Sequence, residues 1–316
     1  MSPGSARPRR DPPGPAASAR AAQPAPLKVM IVDDSITART VHSRIVTSDA
    51  GMSVVAIAGT AEQAIRLLGE VRVDVIPLDL DMPGIGGLDA LPRIIQAAGG
   101  ARIMVVSSLT VDGAEQTLAA LAQGAADPRP KPLAGTFNEG YRETLRAKVR
   151  ALGTASAQRA PAIEAVAPPP PARPRSGSGR RPQVLAIGAS TGGIHALGQL
   201  FSGLPRRMAP PILVTQHLPA SFMPVFARQL QTTAGCEALV AEDGMALVPG
   251  RILVAPGEAH LTVRTQGGGV RVRLDQTPAA SGCTPSVDPM FASLAEVYGA
   301  DALGVVLSGM GRDGSA

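Results

Sequence analysis

Between residues 27 and 153 the chain alternates short apolar runs with amphipathic stretches, the pattern of a parallel sheet wrapped by helices. The apolar runs predict strands over residues 27–32, 54–59, 73–78 and 102–107, with a weaker fifth at 125–129. Helices are expected to start near Ser35, Ala61, Gly87, Asp112 and Asn138. Five such units predict a flavodoxin-like doubly wound sheet, whose chemistry lies beyond the carboxyl ends of its strands. The pattern lapses and then resumes at residue 183. Buried strands are expected at Val184 to Gly188, Pro211 to Thr215 and Asp301 to Leu307, an alternating strand at His260 to Arg264, and a helix after the first of them through Leu200. This second unit reads as a Rossmann-like, mainly parallel α/β domain.

The lapse is compositional as well. Residues 1–26 and 154–182 crowd Pro, Ala, Ser and Gly together, as in the run Ala167-Pro-Pro-Pro-Pro-Ala172, and cannot supply a packed core. The predicted organisation is therefore a disordered basic tail (1–26), a first domain (27–153), a Pro/Ala/Arg-rich linker (154–182) and a second domain (183–316). The formal charge of +5 follows the same division, because the tail carries +3 and the linker +4, which leaves −2 for the two domains. With no Trp, five Phe and two Tyr, the folded parts lack the basic, aromatic surface of a nucleic-acid binder. No run approaches the roughly 18 apolar residues of a membrane span, and no apolar signal core follows the first arginines. Two cysteines without metal-ligand spacing fit a reducing cytoplasm.

At the strand ends of the first domain the residues become chemical. The first strand runs into Asp33-Asp34, the third into Asp79 and then Asp81-Met82-Pro83-Gly84, the fourth into Ser107-Ser108, and Lys131 follows the fifth. Carboxylates converging at one sheet edge repel unless a cation sits among them, and hard oxygen donors favour Mg²⁺. A carboxylate so neutralised can attack a phosphoryl group, which Ser107 would then hydrogen-bond and Lys131 would pair. Taken singly, each residue has a plainer reading as a cap, a turn hydroxyl or a surface lysine; their joint order favours the chemical one.

In the second domain the stretch Gly188-Ala-Ser190-Thr-Gly192-Gly193 fits G-x-S-x-G between strand and helix, which holds a serine on a tight exposed turn. A phosphate cradle and a capped glycine turn are the rival readings, the former weakened by the lack of G-x-G-x-x-G spacing. Of the four histidines, only His217 directly follows an apolar strand and shares the carboxyl edge with Ser190; His42, His195 and His260 are placed elsewhere. Asp313, beyond the last strand, is the best orienting acid. Asp288, expected to cap a helix starting near Pro289, and Asp243, in a Glu-Asp-Gly turn, remain competitors.

Nearly all of residues 27 to 152 resembles the receiver domain of two-component response regulators. That resemblance implies Asp79 as phosphoacceptor, Asp33, Asp34 and the Asp81 backbone as Mg²⁺ holders, Ser107 as the switch hydroxyl and Lys131 as completing the site. Pro128 stands where receivers usually place an aromatic switch, and Pro130 belongs at a sheet edge or bulge. In the second domain Ile187-Gly-Ala-Ser-Thr-Gly-Gly193, Gln216-His217-Leu-Pro219, Ala255-Pro-Gly257, Pro285-Ser-Val-Asp288 and Leu307-Ser-Gly-Met-Gly-Arg-Asp-Gly314 resemble the signature blocks of the CheB protein-glutamate methylesterase domain. The resemblance implies Ser190, His217 and Asp313 as a triad and the N–H groups of Thr191 and Met310 as the oxyanion hole. It further implies methyl-accepting chemoreceptors as substrate, deamidation as a related activity, and a CheA-type histidine kinase as phosphodonor.

Thr284 departs from the family's usual basic residue before its Pro-Ser-Val-Asp block. The family domain also continues with a helix and closing strands, whereas this chain stops three residues past Asp313. A loosely held Asp313 and weak stability or activity are therefore expected. Two alternatives to a regulated esterase follow: a signalling module that binds without catalysis, and a related serine hydrolase outside chemotaxis.

Overall fold

The computed structural model describes residues 25–108, 110–132, 138–157, 181–204, 210–309 and 312–314. The expected tail, apart from residues 25–26, and most of the expected linker lie outside the described residues.

The first unit alternates β1 (Leu27–Val32), α1 (Ile36–Thr47), β2 (Met52–Ala58), α2 (Ala61–Leu68), β3 (Val75–Asp79), α3 (Gly87–Ala97), β4 (Arg102–Ser107), α4 (Val111–Ala122), β5 (Asp127–Pro130) and α5 (Glu139–Ala157). The strands are all parallel in the order β2-β1-β3-β4-β5, the flavodoxin-like winding. Side-chain caps set the helix starts. Ser35 Oγ accepts from the Ala38 N–H at 3.2 Å, and Thr60 and Thr110 cap α2 and α4 in the same way. Pro130 lies on the edge strand β5, where its missing N–H interrupts no inner ladder. Helix α5 runs to Ala157, past residue 153, where the sequence suggested the domain would end.

The second unit comprises β6 (Val184–Ala189), α6 (Gly193–Gly203), β7 (Ile212–Gln216), a 3-10 turn (Ala220–Phe222), α7 (Met223–Ala234), β8 (Ala238–Val240), β9 (Ile252–Val254), β10 (His260–Gln266), β11 (Gly269–Asp275), α8 (Val287–Tyr298), a second 3-10 turn (Gly299–Asp301) and β12 (Ala302–Val306). Five of its strands form a parallel sheet in the order β12-β6-β7-β9-β8. Strands β8 and β9 were not foreseen, since at three residues each they are too short to display a period. Nor was β11. It pairs antiparallel with β10 across Gly267-Gly268, whose φ values of 61° and 77° make the left-handed two-residue turn that matches strand twist.

Helix α8 also corrects an expectation. It starts at Val287 with Ser286 in the N-cap position, so Asp288 lies in its first turn and does not cap it. The two units touch: α4 packs on α6 and α7, and one apolar cluster runs from the first sheet's helical face into the second unit. Among the described residues no helix is long and apolar enough to cross a membrane.

Phe222, in the first 3-10 turn, and Phe226, on α7, are fully buried in the apolar cluster that the two units share. Removing the Phe226 ring leaves a cavity as well as a lost transfer term, so Phe226→Ala should lower stability by about 3–5 kcal/mol. Urea unfolding followed by circular dichroism checks this, and an unchanged midpoint would contradict the packing described.

Candidate active site

Strand β6 is buried at all six positions and delivers the chain to Ser190 at its carboxyl end. Gly192 then adopts φ 73°, a left-handed conformation that turns the chain into α6. Gly193 is just as constrained, because a Cβ there would lie 2.3 Å from Gln216 Oε1. The turn is fastened on both sides. The Ser190 N–H donates to the Ser308 carbonyl at 2.7 Å, and the Ser190 carbonyl accepts from Gln216 Nε2 at 2.9 Å. Ser308 Oγ donates in turn to the Thr191 carbonyl at 2.7 Å.

His217 follows β7, the neighbour of β6, and its Nδ1 lies 2.9 Å from Ser190 Oγ. Its Nε2 lies 2.7 Å from Asp313 Oδ2. A carboxylate only accepts, so the ring proton sits on Nε2 and the Nδ1 lone pair faces the serine hydroxyl.

Asp313, expected on a loose terminus, is instead held by four donors. Besides His217, Ser286 Oγ donates to its Oδ1 at 2.5 Å, and the N–H groups of Val287 and Asp288 donate at 2.8 and 3.2 Å. Asp288 Oδ1 accepts from the Gly314 N–H at 2.8 Å and so secures the loop itself. Burial pushes the Asp313 carboxyl up, but the bonds from Ser286, Val287, His217 and Asp288 outweigh it and hold the group below the usual carboxylate range.

The other candidates fall away from this point. His195 Nδ1 is bonded to the Ala122 carbonyl of the first unit at 2.6 Å, and His260 accepts from the Ser286 N–H at 2.8 Å. His42 is buried against the Tyr141 hydroxyl at 3.0 Å, with burial pulling its pKa down to about 4. Asp243 accepts from the Leu274 N–H at 3.0 Å. Met310 lies outside the described residues. Ser286, Gln216 and Ser308 were not singled out from the sequence, although all three stand in motif blocks, where no periodicity reveals an individual role.

A small cavity of about 80 Å³ opens beside Ser190, lined by His217, Val287, Val306, Ser308 and Gly309. A larger one of about 350 Å³ also borders His217 and takes Arg129 and Lys148 from the first unit, with Cys283 and Thr284 from the second.

In the first unit, carboxylate oxygens of Asp33, Asp34 and Asp79 lie within 4.8 Å of one another, a set of hard donors that fits a divalent cation. Asp79 is 1% exposed; its Oδ2 accepts from Lys131 Nζ at 2.7 Å and its Oδ1 from the Asp81 N–H at 3.0 Å. The Asp81 carboxylate itself is exposed and stands apart from the cluster. Burial pushes Asp79 up to about 6 against the pull of Lys131, and it pushes Asp33 upward too. For Lys131, burial acts downward, but Asp79, Asp33 and Asp81 prevail and hold the ammonium above its ordinary range. Ser107 does not bond Asp79. Its hydroxyl is joined to Thr117 on α4, while its carbonyl accepts from the Lys131 N–H at 2.7 Å.

Helix α4 and the turn after it carry the contact between the units. The Gly192 N–H, two residues past Ser190, donates to the Ala126 carbonyl at 2.9 Å, and Arg228 pairs with Glu115 at 3.1 Å.

Comparison with known proteins identifies both units. Residues 29–136 match the response regulator receiver domain and residues 185–316 the CheB methylesterase domain. A protein-glutamate methylesterase/protein-glutamine glutaminase of Paramagnetospirillum magneticum is 38% identical over 91% of this chain and 82% of its own length. One from Caulobacter vibrioides is 42% identical over 91% of this chain and 83% of its own. With a receiver and a methylesterase domain in one chain, and this identity along most of both relatives, the protein belongs to the CheB protein-glutamate methylesterase/protein-glutamine glutaminase family.

Proposed function

We propose that the chain hydrolyses γ-glutamyl methyl esters, and deamidates glutamines, on the cytoplasmic helices of methyl-accepting chemoreceptors. A CheA-type histidine kinase controls it by phosphorylating Asp79. The observation that carries the reading is the continuous relay from Ser190 Oγ through both nitrogens of His217 to Asp313. In this proposal residues 27–153 are the regulatory unit, residues 183–316 the catalytic one, and the protein works in the cytoplasm.

The chemistry follows from where the protons sit. Ser190 Oγ attacks the ester carbonyl as its proton passes to His217 Nδ1, and the resulting imidazolium is stabilised by Asp313. Asp313 stays ionised throughout because its own donors favour the charged form. The oxyanion is met by the N–H of Thr191, at the entrance to α6, and by that of Met310. His217 then gives its proton to the departing methanol, or to ammonia from a glutamine. Water, activated by the same ring, releases the carboxylate from the acyl-enzyme. The 80 Å³ cavity beside Ser190 suits a small ester or amide end group.

Regulation acts on the contact at α4. Asp33, Asp34 and Asp79, with the Asp81 backbone, would hold Mg²⁺, whose charge would offset the acids and the oxygens of the transferring phosphoryl group. A phosphoryl group on Asp79 offers new acceptors to Ser107 and Lys131. Ser107 would then leave Thr117, and the α4 surface that rests on α6 and α7 would loosen. The docked and undocked arrangements exchange as populations, and the phosphoryl group favours the open one.

Three outcomes are expected. Ser190→Ala should cut methanol release from methylated receptor at least about 10³-fold while leaving receptor binding intact; release at the original rate would exclude Ser190 as nucleophile. Acetyl phosphate with Mg²⁺ should accelerate the wild-type chain and leave Asp79→Asn unaffected, and equal acceleration of both would move the phosphorylation site elsewhere. Without Mg²⁺ the Asp79 carboxyl should titrate near 6, because burial raises its pKa and it stays protonated below that point. Adding Mg²⁺ should lower the midpoint in a ¹³C NMR titration, and a metal-independent midpoint near 4 would contradict the cation site.

A further inference from the structure

A ring nitrogen of His217, the Sγ of Cys283 and a carboxylate oxygen of Asp313 lie within 4.8 Å of one another, all on half-buried residues. The nitrogen that faces the aspartate is Nε2. Thiol, imidazole and carboxylate together are the donor set of a borderline-soft divalent ion, and unlike the all-oxygen cluster around Asp79 they select Zn²⁺ over Mg²⁺. A tetrahedral Zn²⁺ spaces its ligands about 3–4 Å apart. The Cys283 thiol is held by a long contact to the Ser281 carbonyl at 3.8 Å, weak enough to give way as the ligands draw in on the ion.

Access and charge agree. The cavity of about 350 Å³ that His217 and Cys283 border leaves room for the ion to enter and for a solvent molecule in the fourth position. The two cations that also line it are already engaged, Lys148 with Asp127 at 2.8 Å and Arg129 over the Tyr141 ring at 4.4 Å. A thiolate and a carboxylate neutralise the ion, so the half-buried site takes on no net charge.

We propose that Cys283, His217 and Asp313 form an inhibitory Zn²⁺ site that switches the esterase off through its own base, an inference that rests on the reading of His217 as that base. Zn²⁺ binds the Cys283 sulfur as thiolate, and the displaced thiol proton leaves to solvent. It also takes the Nε2 lone pair, and the proton formerly on Nε2 is carried by Nδ1. One proton is released per ion bound. With Nδ1 protonated the ring donates to Ser190 Oγ and can no longer accept from it, so attack stops while the fold stays intact.

The test uses the full chain and two readouts. Co²⁺, a spectroscopic stand-in for Zn²⁺, should give a thiolate-to-metal charge-transfer band that persists in Cys236→Ser and is lost in Cys283→Ser and Cys283→Ala. Zn²⁺ should inhibit methanol release, reversibly by chelator, and Cys283→Ser should keep its metal-free rate while needing more than about tenfold more Zn²⁺. Absence of the Co²⁺ band in the wild-type chain, or equal Zn²⁺ sensitivity in Cys283→Ser, overturns the site. A Cys283-dependent band with undiminished methanol release overturns its inhibitory role. If the metal-free chain releases no methanol at all, the esterase reading fails, and the band alone then supports or overturns the metal site.

Discussion

A carboxylate withdrawn from water costs several kcal/mol unless donors replace its hydration, and the second domain is arranged around meeting that cost at Asp313. The donors come from two places far apart in the chain: the ring of His217 after β7, and the entrance of α8, where the Ser286 hydroxyl and the first-turn amides of Val287 and Asp288 lie together. Two of them are N–H groups that a helix leaves unpaired at its start, where the macrodipole also favours negative charge. Satisfying one acid therefore ties the loop after β12 to the entrance of α8 and to the edge of β7. The orientation of His217, and with it the direction of the lone pair aimed at Ser190, follows from that knot.

The two domains handle aspartates in opposite ways. In the receiver, Asp33, Asp34 and Asp79 crowd one sheet edge with a single lysine among them, and burial wins, so Asp79 is driven up to about 6. In the esterase domain one aspartate is surrounded by donors and is held below the ordinary range. The first arrangement suits a group whose charge a bound cation or an added phosphoryl group would reorganise. The second suits a group that stays charged while a proton moves next to it.

Both sites lie at the carboxyl ends of parallel strands, where crossover topology leaves loops free to carry chemistry. What joins them is α4. It bears Thr117, bonded to Ser107 near the acids, and it packs on α6 and α7, whose neighbouring turn carries Ser190. The Ala126 carbonyl reaches the Gly192 amide directly, so the receiver unit touches the turn that carries Ser190.

The alternation of apolar runs was sufficient to give the first domain's winding, since four of its five strands are mainly apolar runs of at least five residues and each helix starts at a cap or turn residue. The same reading found β6, β7, β10 and β12, and with them the edges that carry Ser190, His217 and Asp313. It missed β8, β9 and β11, because a three-residue strand has no period and a hairpin partner of mixed polarity is recognisable only by its pairing. It also misjudged Asp288 and the hold on Asp313, because a helix start is decided by which backbone amides find acceptors, and here the acceptor lies 25 residues away in sequence. Residue type and order alone carried the chemistry: acids at strand ends, a serine on a glycine turn, one histidine at the right edge. Only the tertiary structure decided which ring nitrogen of His217 faces which partner, that Ser107 rests on Thr117, and that the Cys283 thiol stands beside His217. Those are distances between segments that the chain brings together only when the sheets close, and no local pattern encodes them.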